Sequence, residues 1–407
     1  MNIANLRAEF PGLSEEIDGK RFAYLDTCAT AQKPLAVIER MDRFLRSEYG
    51  TVHRGMYQRS VRSTEAYEQA RASVAKLLNA PKPDNVVYTS GSTDAINLVA
   101  WSWGRANLKA GDAVLISAME HHANIVPWHI TRELFGFELR VCPIHDDGSL
   151  DLEAFDRLLD DTVKLVSMAH VSNVLGTVNP VDDIIKRAHA VGAKVLIDAA
   201  QSVPHGLVDV QAMDCDFLVC SSHKVYGPTG IGALYGKPEL LAAMPPWRGG
   251  GDMIDRVTFE GSTYGKPPLR FEAGTPAIVE AIGFAAAAEW FLSLDQQALH
   301  RHEHELYRYC EERLADVPGL QRIGCAPERA GAISFVMDEA HPSDIANILD
   351  MQGVAIRAGH HCAQPLMQRY GIGATARISF GCYSNKEDVD QAITGLHKAA
   401  KLFGLEG

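Results

Sequence analysis

No two cysteines in this chain have the C-x-x-C spacing, although eight are present: Cys28, Cys142, Cys215, Cys220, Cys310, Cys325, Cys362 and Cys382. That absence removes the common zinc-ribbon and iron–sulfur ligand patterns, and no metal site is expected. A chain of 407 residues can also bury a core large enough to dispense with disulfides. Basic charge is scarce as well: 39 Lys+Arg stand against 51 Asp+Glu, a formal net charge of -12 at pH 7. This balance argues against nucleic acid or an anionic membrane as partner, since either needs a basic face. The opening residues MNIANLRAEFPGL lack the basic and apolar stretches of a signal peptide, so a reducing, cytoplasmic location is expected.

Long uninterrupted apolar runs are missing too. The longest, residues 277–294, is broken by Glu280 and Glu289 and reads as a largely buried helix rather than a membrane span. There is no internal repeat and no low-complexity linker. The one irregular zone, residues 247–268, holds Gly249, Gly250, Gly251, Gly261, Gly265 and paired prolines, and reads as a loop or hairpin excursion.

What is present is a series of short apolar runs between residues 85 and 236: NVVYTS, DAVLISA, LRVCPI, VKLVSMAHV, AKVLIDAA, DFLVCSS and GALYG. Most carry Val, Ile or Leu on both faces, which predicts a mainly parallel sheet covered by helices on both sides. Such a sheet binds its ligand at the carboxyl ends of its strands. Single cores rarely grow beyond ~250–300 residues, so two domains are expected.

Chemistry-bearing residues gather at those strand ends. Gly91, Ser92 and Thr93 follow the first run and open a helix, which makes either an anion site or a plain N-cap. Asp198 ends an apolar strand, where a carboxylate must be paired or face a bound cation, and Gln201 lies three residues on. Lys224, after Ser221 and His223, leaves a buried strand end for the turn GPTGIG, whose glycine order is not that of a dinucleotide fingerprint. Desolvation there lowers an amine's pKa and makes it nucleophilic. His121 and His122 follow another strand and can stack on a planar group, relay protons or simply cap a helix. Asn173 follows a fourth. An Asp, a Lys, an anion-binding turn and a stacking His on successive strand ends suit pyridoxal phosphate (PLP).

In the distal half, Cys362 lies in RAGHHCAQP with Arg357, His360 and His361 close by, on what reads as a mobile loop where a thiolate would be favoured. Arg377 opens a strand and can clamp a carboxylate or form a structural ion pair. His300, His302 and His304 lie among acidic and basic neighbours and read as a solvated helix face.

With these motifs in place, the chain resembles the cysteine desulfurases, within the class V aminotransferase group of fold-type I PLP enzymes. The resemblance runs through LDTCATAQKP, VHRGMY, GSTDAINLVA, MEHHANIVPW, HVSNVLGT, IDAAQS, SSHKVYGPTG, RFEAGTP and RAGHHCAQPLM. The compact cysteine loop looks like the SufS-type, group II subfamily. The resemblance implies an α/β fold: a large domain with a seven-stranded, mainly parallel sheet over residues 21–292, and a smaller α+β domain over residues 293–407 carrying the Cys362 loop. An N-terminal segment, residues 1–20, would pack with the small domain.

By the same resemblance, Lys224 would form the Schiff base with PLP, Asp198 would pair with the pyridine nitrogen and Gln201 would contact the phenolate oxygen. His121 would stack on the ring and assist proton transfer. Ser92 or Thr93, Ser221 and His223 would hold the phosphate, joined by Thr275 from the second subunit of a homodimer. Asn173 and Arg377 would bind the carboxylate of L-cysteine, and His53, Arg54 and Arg357 would line the pocket. Cys362 would receive the sulfur as a persulfide and pass it to a SufE-like or SufU-like acceptor for iron–sulfur cluster assembly. Selenocysteine lyase and cysteine sulfinate desulfinase activities remain open alternatives. Cys28 departs from the pattern, since that position is commonly alanine.

Overall fold

The structure, a computed structural model, describes residues 3–206 and 208–405. Each of the seven apolar runs supplies one strand of a central sheet: β1 Val86–Thr89, β2 Ala113–Ser117, β3 Glu138–Cys142, β4 Val163–Ala169, β5 Lys194–Asp198, β6 Phe217–Ser221 and β7 Gly232–Gly236. Their spatial order is β1-β7-β6-β5-β4-β2-β3. The strands from β6 to β3 pair in parallel, whereas β7 is antiparallel to both β1 and β6.

Strand alternation explains why these runs are apolar throughout. Val86 and Tyr88 of β1, with Ala113 and Leu115 of β2, enter one core; Val87, Val114 and Ile116 enter another on the opposite face. The first core is closed by helices Gln58–Leu77 and Ile278–Leu292, the second by Ser92–Leu98 and Val126–Phe135. Helix Ile278–Leu292 is buried nearly all round, as its sequence predicts, and Glu289 accepts a hydrogen bond from Ser73 Oγ (2.6 Å). Among the described residues no helix is long and apolar enough to cross a membrane. The glycine-rich excursion contains a two-stranded antiparallel hairpin, Ile254–Val257 with Ser262–Tyr264.

A second sheet of four antiparallel strands follows: β8 Leu320–Ile323, β9 Ala332–Met337, β10 Arg357–Gly359 and β11 Thr375–Ser379, in the order β8-β9-β11-β10. Helices Gln296–Leu314, Pro342–Asp350 and Lys386–Leu402 cover it, and Phe335, Ile378, Leu349 and Leu396 belong to its separate core.

The N-terminal segment reaches both cores rather than the smaller one alone. Leu6, Phe10 and Leu13 enter the larger core, where the Phe10 ring meets Trp290 at 5.4 Å edge-on. Arg7 Nη1 pairs with Asp388 of the C-terminal helix at 3.3 Å. Ala23–Tyr24 then forms a parallel pair with Val354–Ala355, and Ser379 N donates to Leu25 O (2.8 Å). Residues 23–25 thus extend the small body, although they belong by chain order to the start of the large one.

Arg71 locks the large body. Its side chain is 1 % exposed, donates to Glu272 at 2.6 and 2.9 Å and to Val86 O at 3.0 Å, while Glu272 also accepts from Tyr88 N at 2.7 Å. Removing one partner of a buried pair strands the other charge and costs ~3–5 kcal/mol. Arg71→Met is therefore expected to lower the unfolding free energy, read from urea denaturation, by that amount, with a corresponding fall in the midpoint, and adding Glu272→Gln to recover part of it. An unchanged midpoint for Arg71→Met would show that the pair contributes nothing.

Candidate active site

The carboxyl ends of the central strands open on one cavity of about 300 Å³. Five of the seven strands deliver polar groups to it: Ser92 and Thr93 after β1, His121 after β2, Asn173 after β4, Asp198 at the end of β5, and Ser221, His223 and Lys224 from β6. Gln201 joins from the turn after β5. The small body completes the cavity with Arg357, His361, Cys362 and Arg377.

At one end, the two serines tie the end of β1 to the end of β6 across the intervening β7: Ser92 N donates to Ser221 Oγ (2.8 Å), and the two hydroxyls are 2.9 Å apart. The turn can be this tight because Gly91 has φ +147° and because a Cβ on Gly232 would lie 2.6 Å from Gly91 Cα. The first N–H groups of helix Ser92–Leu98 have no intrahelical acceptor and point toward this end. With the hydroxyls of Thr93 and Ser221 and the His223 ring, they form a donor-rich cradle for an anion. Burial, aided by Lys224 and Lys33, pushes His223 down to about 4, so its ring is neutral.

Asp198 forms the opposite end. It is 7 % exposed, and its carboxylate accepts a hydrogen bond from Ala200 N (3.0 Å). Burial raises its pKa, and the positive charge of Lys224 works the other way. The Lys224 ammonium, half-buried on the wall, is lowered by loss of water and supported by Asp198. His121 accepts from Ala123 N at Nδ1 (3.0 Å), and burial, Lys224 and His122 hold it down to about 3. The ring is therefore neutral, with its proton on Nε2.

The arginines and the cysteine loop meet on the other side. Arg377, 2 % exposed, donates to Asn173 O (2.8 Å) and Asp26 Oδ1 (3.2 Å). Arg357 binds the same carboxylate, with Nη2 2.8 Å from Asp26 Oδ2. The Cys362 loop was expected to be mobile; here it is four residues long between β10 and helix Gln364–Arg369 and is tied down. Asn173 Nδ2 donates to His361 O (2.8 Å), His122 N to Cys362 O (2.7 Å), and Gln364 N to His122 Nε2 (3.0 Å). His361 is buried, pushed down to about 3, and lies 2.9 Å from Thr375 Oγ1. Cys362 itself is exposed and has a left-handed φ of 55°.

Three expected site residues lie elsewhere in the chain. His53 faces Glu68 (3.0 Å), Arg54 faces Asp252 (2.8 Å), and Thr275 is exposed; none lines this cavity. Their motifs are adjacent in sequence to the large-body helices Gln58–Leu77 and Ile278–Leu292. His53 and Arg54, expected to line the pocket, therefore stand outside its lining in the single chain.

Two residues were overlooked. Glu120 is buried under the His121 turn and bonds Ser117 Oγ (2.5 Å), Asn124 Nδ2 (2.7 Å) and Ala169 N (3.0 Å); burial lifts its carboxyl to about 7. Asp26 gathers both arginines. The acid next to the paired histidines in MEHHAN was a visible signal for Glu120; Asp26 had none, because its partners are 331 and 351 residues away. His302 bonds Ser384 O (2.8 Å), and among the described residues no group of three metal-ligating side chains is placed to hold a metal ion.

The chemistry of this set fits pyridoxal phosphate. The buried Asp198 carboxylate, with one backbone donor, suits a protonated ring nitrogen; the donor cradle at Ser92 suits a phosphate; and the Lys224 amine between them suits an aldehyde.

The aminotransferase class-V family model matches residues 23–392. The cysteine desulfurase of Dickeya dadantii (strain 3937) is 50 % identical over 403 residues, covering 99 % of this chain and 98 % of that protein. The crystal structure of the cysteine desulfurase CsdA from Escherichia coli, in its S-sulfonic acid form, superposes with a TM-score of 0.92 at 39 % identity, over 99 % of both chains. The apo structure of the cysteine desulfurase from Thermococcus onnurineus NA1 gives 0.93 at 35 % identity, over 98 % of this chain and 99 % of that one. With a matched span from the first parallel pairing of the small body to its last helix, this chain belongs to the class-V aminotransferase family.

Proposed function

We propose that this protein is a cysteine desulfurase that converts L-cysteine to L-alanine and holds the sulfur as a persulfide on Cys362. One observation carries the reading: an exposed thiol, Cys362, opens into the same cavity as Lys224 and Asp198. A transaminase or epimerase has no use for that thiol. The fold is that of the fold-type I PLP transferases, and pyridoxal phosphate is the cofactor of the family. We read residues 21–292 as the cofactor-binding unit and residues 293–407 as the unit that brings Cys362 to it.

In this proposal Ser92, Thr93, Ser221 and His223 hold the cofactor phosphate, and Gln201 approaches its ring oxygen. Asp198 keeps the ring nitrogen protonated, and His121 lies against the ring. When bound, pyridoxal phosphate supplies an electron-withdrawing ring that acidifies the substrate Cα–H and weakens its Cβ–S bond. Arg377 and Asn173 take the substrate carboxylate, Arg377 in exchange for part of its contact with Asp26, and Arg357 closes that side. Lys224, its pKa lowered by burial, acts as the general base that removes the Cα proton. Cys362 Sγ attacks the substrate sulfur, and the carbon fragment leaves as alanine after protonation. Neutral His121 presents Nε2–H to the departing group.

The compact loop supports placement in the SufS-type subfamily. An exposed persulfide suits delivery to a SufE-like or SufU-like acceptor, with iron–sulfur cluster assembly as the destination and the cytoplasm as the reducing compartment. Thr275, His53 and Arg54, all outside the cavity of their own chain, suit a homodimer in which they complete the partner's site.

Cys362→Ala is expected to lower cysteine-dependent alanine release by about 100-fold or more, the scale of losing a reacting nucleophile. Undiminished release would sink its assigned role. Lys224→Ala is expected to abolish both turnover and the visible absorbance band of the lysine-bound cofactor; a retained band would mean that another lysine carries it.

A further inference from the structure

Cys28 is a buried nucleophile that the reaction above leaves unused. It is 6 % exposed and lies on the cavity wall shared with Lys224, Arg377 and Cys362. Its peptide is clamped on both sides: Cys28 N donates to Ser379 Oγ (3.0 Å), and Cys28 O accepts from Gln201 Nε2 (2.9 Å). These contacts hold the Cys28 backbone in place against the cavity. Arg377 and Lys224 face the thiol as cations, Asp26 faces it as an anion, and burial keeps it protonated at rest. Next to it, Arg377 is 2 % exposed with its Nε unpartnered, while its two terminal nitrogens are engaged. A buried, unpaired N–H beside a thiol is a site for an anion, and the substrate carboxylate leaves it when alanine departs.

We infer that Cys28 is a second sulfur-holding residue, which takes the outer sulfur of the Cys362 persulfide inside the cavity and frees Cys362 for another turnover. This rests on the desulfurase reading. A persulfide extends the Cys362 side chain by one S–S bond, about 2 Å, toward the chamber both residues line. The step is a thiol exchange. Cys28 Sγ attacks the outer sulfur; a new S–S bond forms to Cys28, the bond to Cys362 Sγ breaks, and its electron pair stays on Cys362. The proton of Cys28 ends on Cys362. Atoms and electrons balance as Cys28–SH plus Cys362–S–SH giving Cys28–S–SH plus Cys362–SH, with no external oxidant or reductant.

The test uses the cofactor-loaded protein with L-cysteine limited to a few equivalents per chain, so that free substrate thiol does not strip the persulfides, and without added acceptor or reductant, followed by acid quench, iodoacetamide trapping and peptide mass spectrometry. The expected result is an extra sulfur, removable by dithiothreitol, on both the Cys28 and the Cys362 peptides. Alanine formed in the first burst should be about two per chain, falling to about one in both Cys28→Ser and Cys28→Ala. Serine preserves the shape of the site, so a folding defect in the alanine variant leaves the comparison intact. In Cys362→Ala, Cys28 should carry no extra sulfur. Extra sulfur on Cys362 alone, a burst unchanged in Cys28→Ser, or a Cys28–Cys362 disulfide would each overturn the relay. Absence of extra sulfur on Cys362 would instead overturn the desulfurase reading on which it rests.

Discussion

A carboxylate at the end of a buried strand is tolerated only where a cation can face it, and Asp198 imposes that condition on the whole cavity. Its carboxylate accepts from Ala200 N, so its charge is stabilised mainly across open space, by Lys224 from the neighbouring strand end. Burial disfavours both charged forms, and each partially restores the other. A molecule bringing its own cation to Asp198 releases Lys224 from that duty. The two groups are thus arranged for an occupant, Asp198 at the end of β5 and Lys224 just past the end of the neighbouring β6.

The surrounding residues extend this logic from charge to orientation. His121 is kept neutral and its tautomer is fixed by a backbone N–H, while Glu120 below it holds the turn through three hydrogen bonds. Across the cavity, Asp26 pairs with two arginines and so offsets their mutual repulsion, and Arg377 also donates to Asn173 O. The cysteine loop depends on both sides, since its carbonyls accept from Asn173 and His122 of the large body. The site is therefore built at a seam, and neither body holds it alone.

How much of this could be read in the sequence follows from the range of each interaction. The seven strands were legible because burial on both faces leaves continuous apolar runs, and Asp198, Lys224 and Cys362 because each interrupts such a run or a glycine-flanked turn. The antiparallel insertion of β7 between β1 and β6 was not, since a short strand looks the same in either direction. The role of Asp26 was hidden because its partners come from the far end of the chain. His53 and Arg54 carry strong motifs, but a motif does not say which side chains it will face, and these two face Glu68 and Asp252.

The N-terminal segment has a consequence for the order in which the molecule can be completed. Ala23 and Leu25 enter the small core, and their neighbours Cys28 and Ala29 form cavity wall, yet the strands they join are residues 354–355 and 375–379. During synthesis the large sheet can assemble once residue 236 is available, while residues 23–29 must wait for nearly the whole chain. A ribosome-bound intermediate thus holds its lysine and aspartate in a chamber that still lacks a wall, its arginines and its thiol. Reactive sulfur chemistry is confined in this way to finished molecules, by chain connectivity alone.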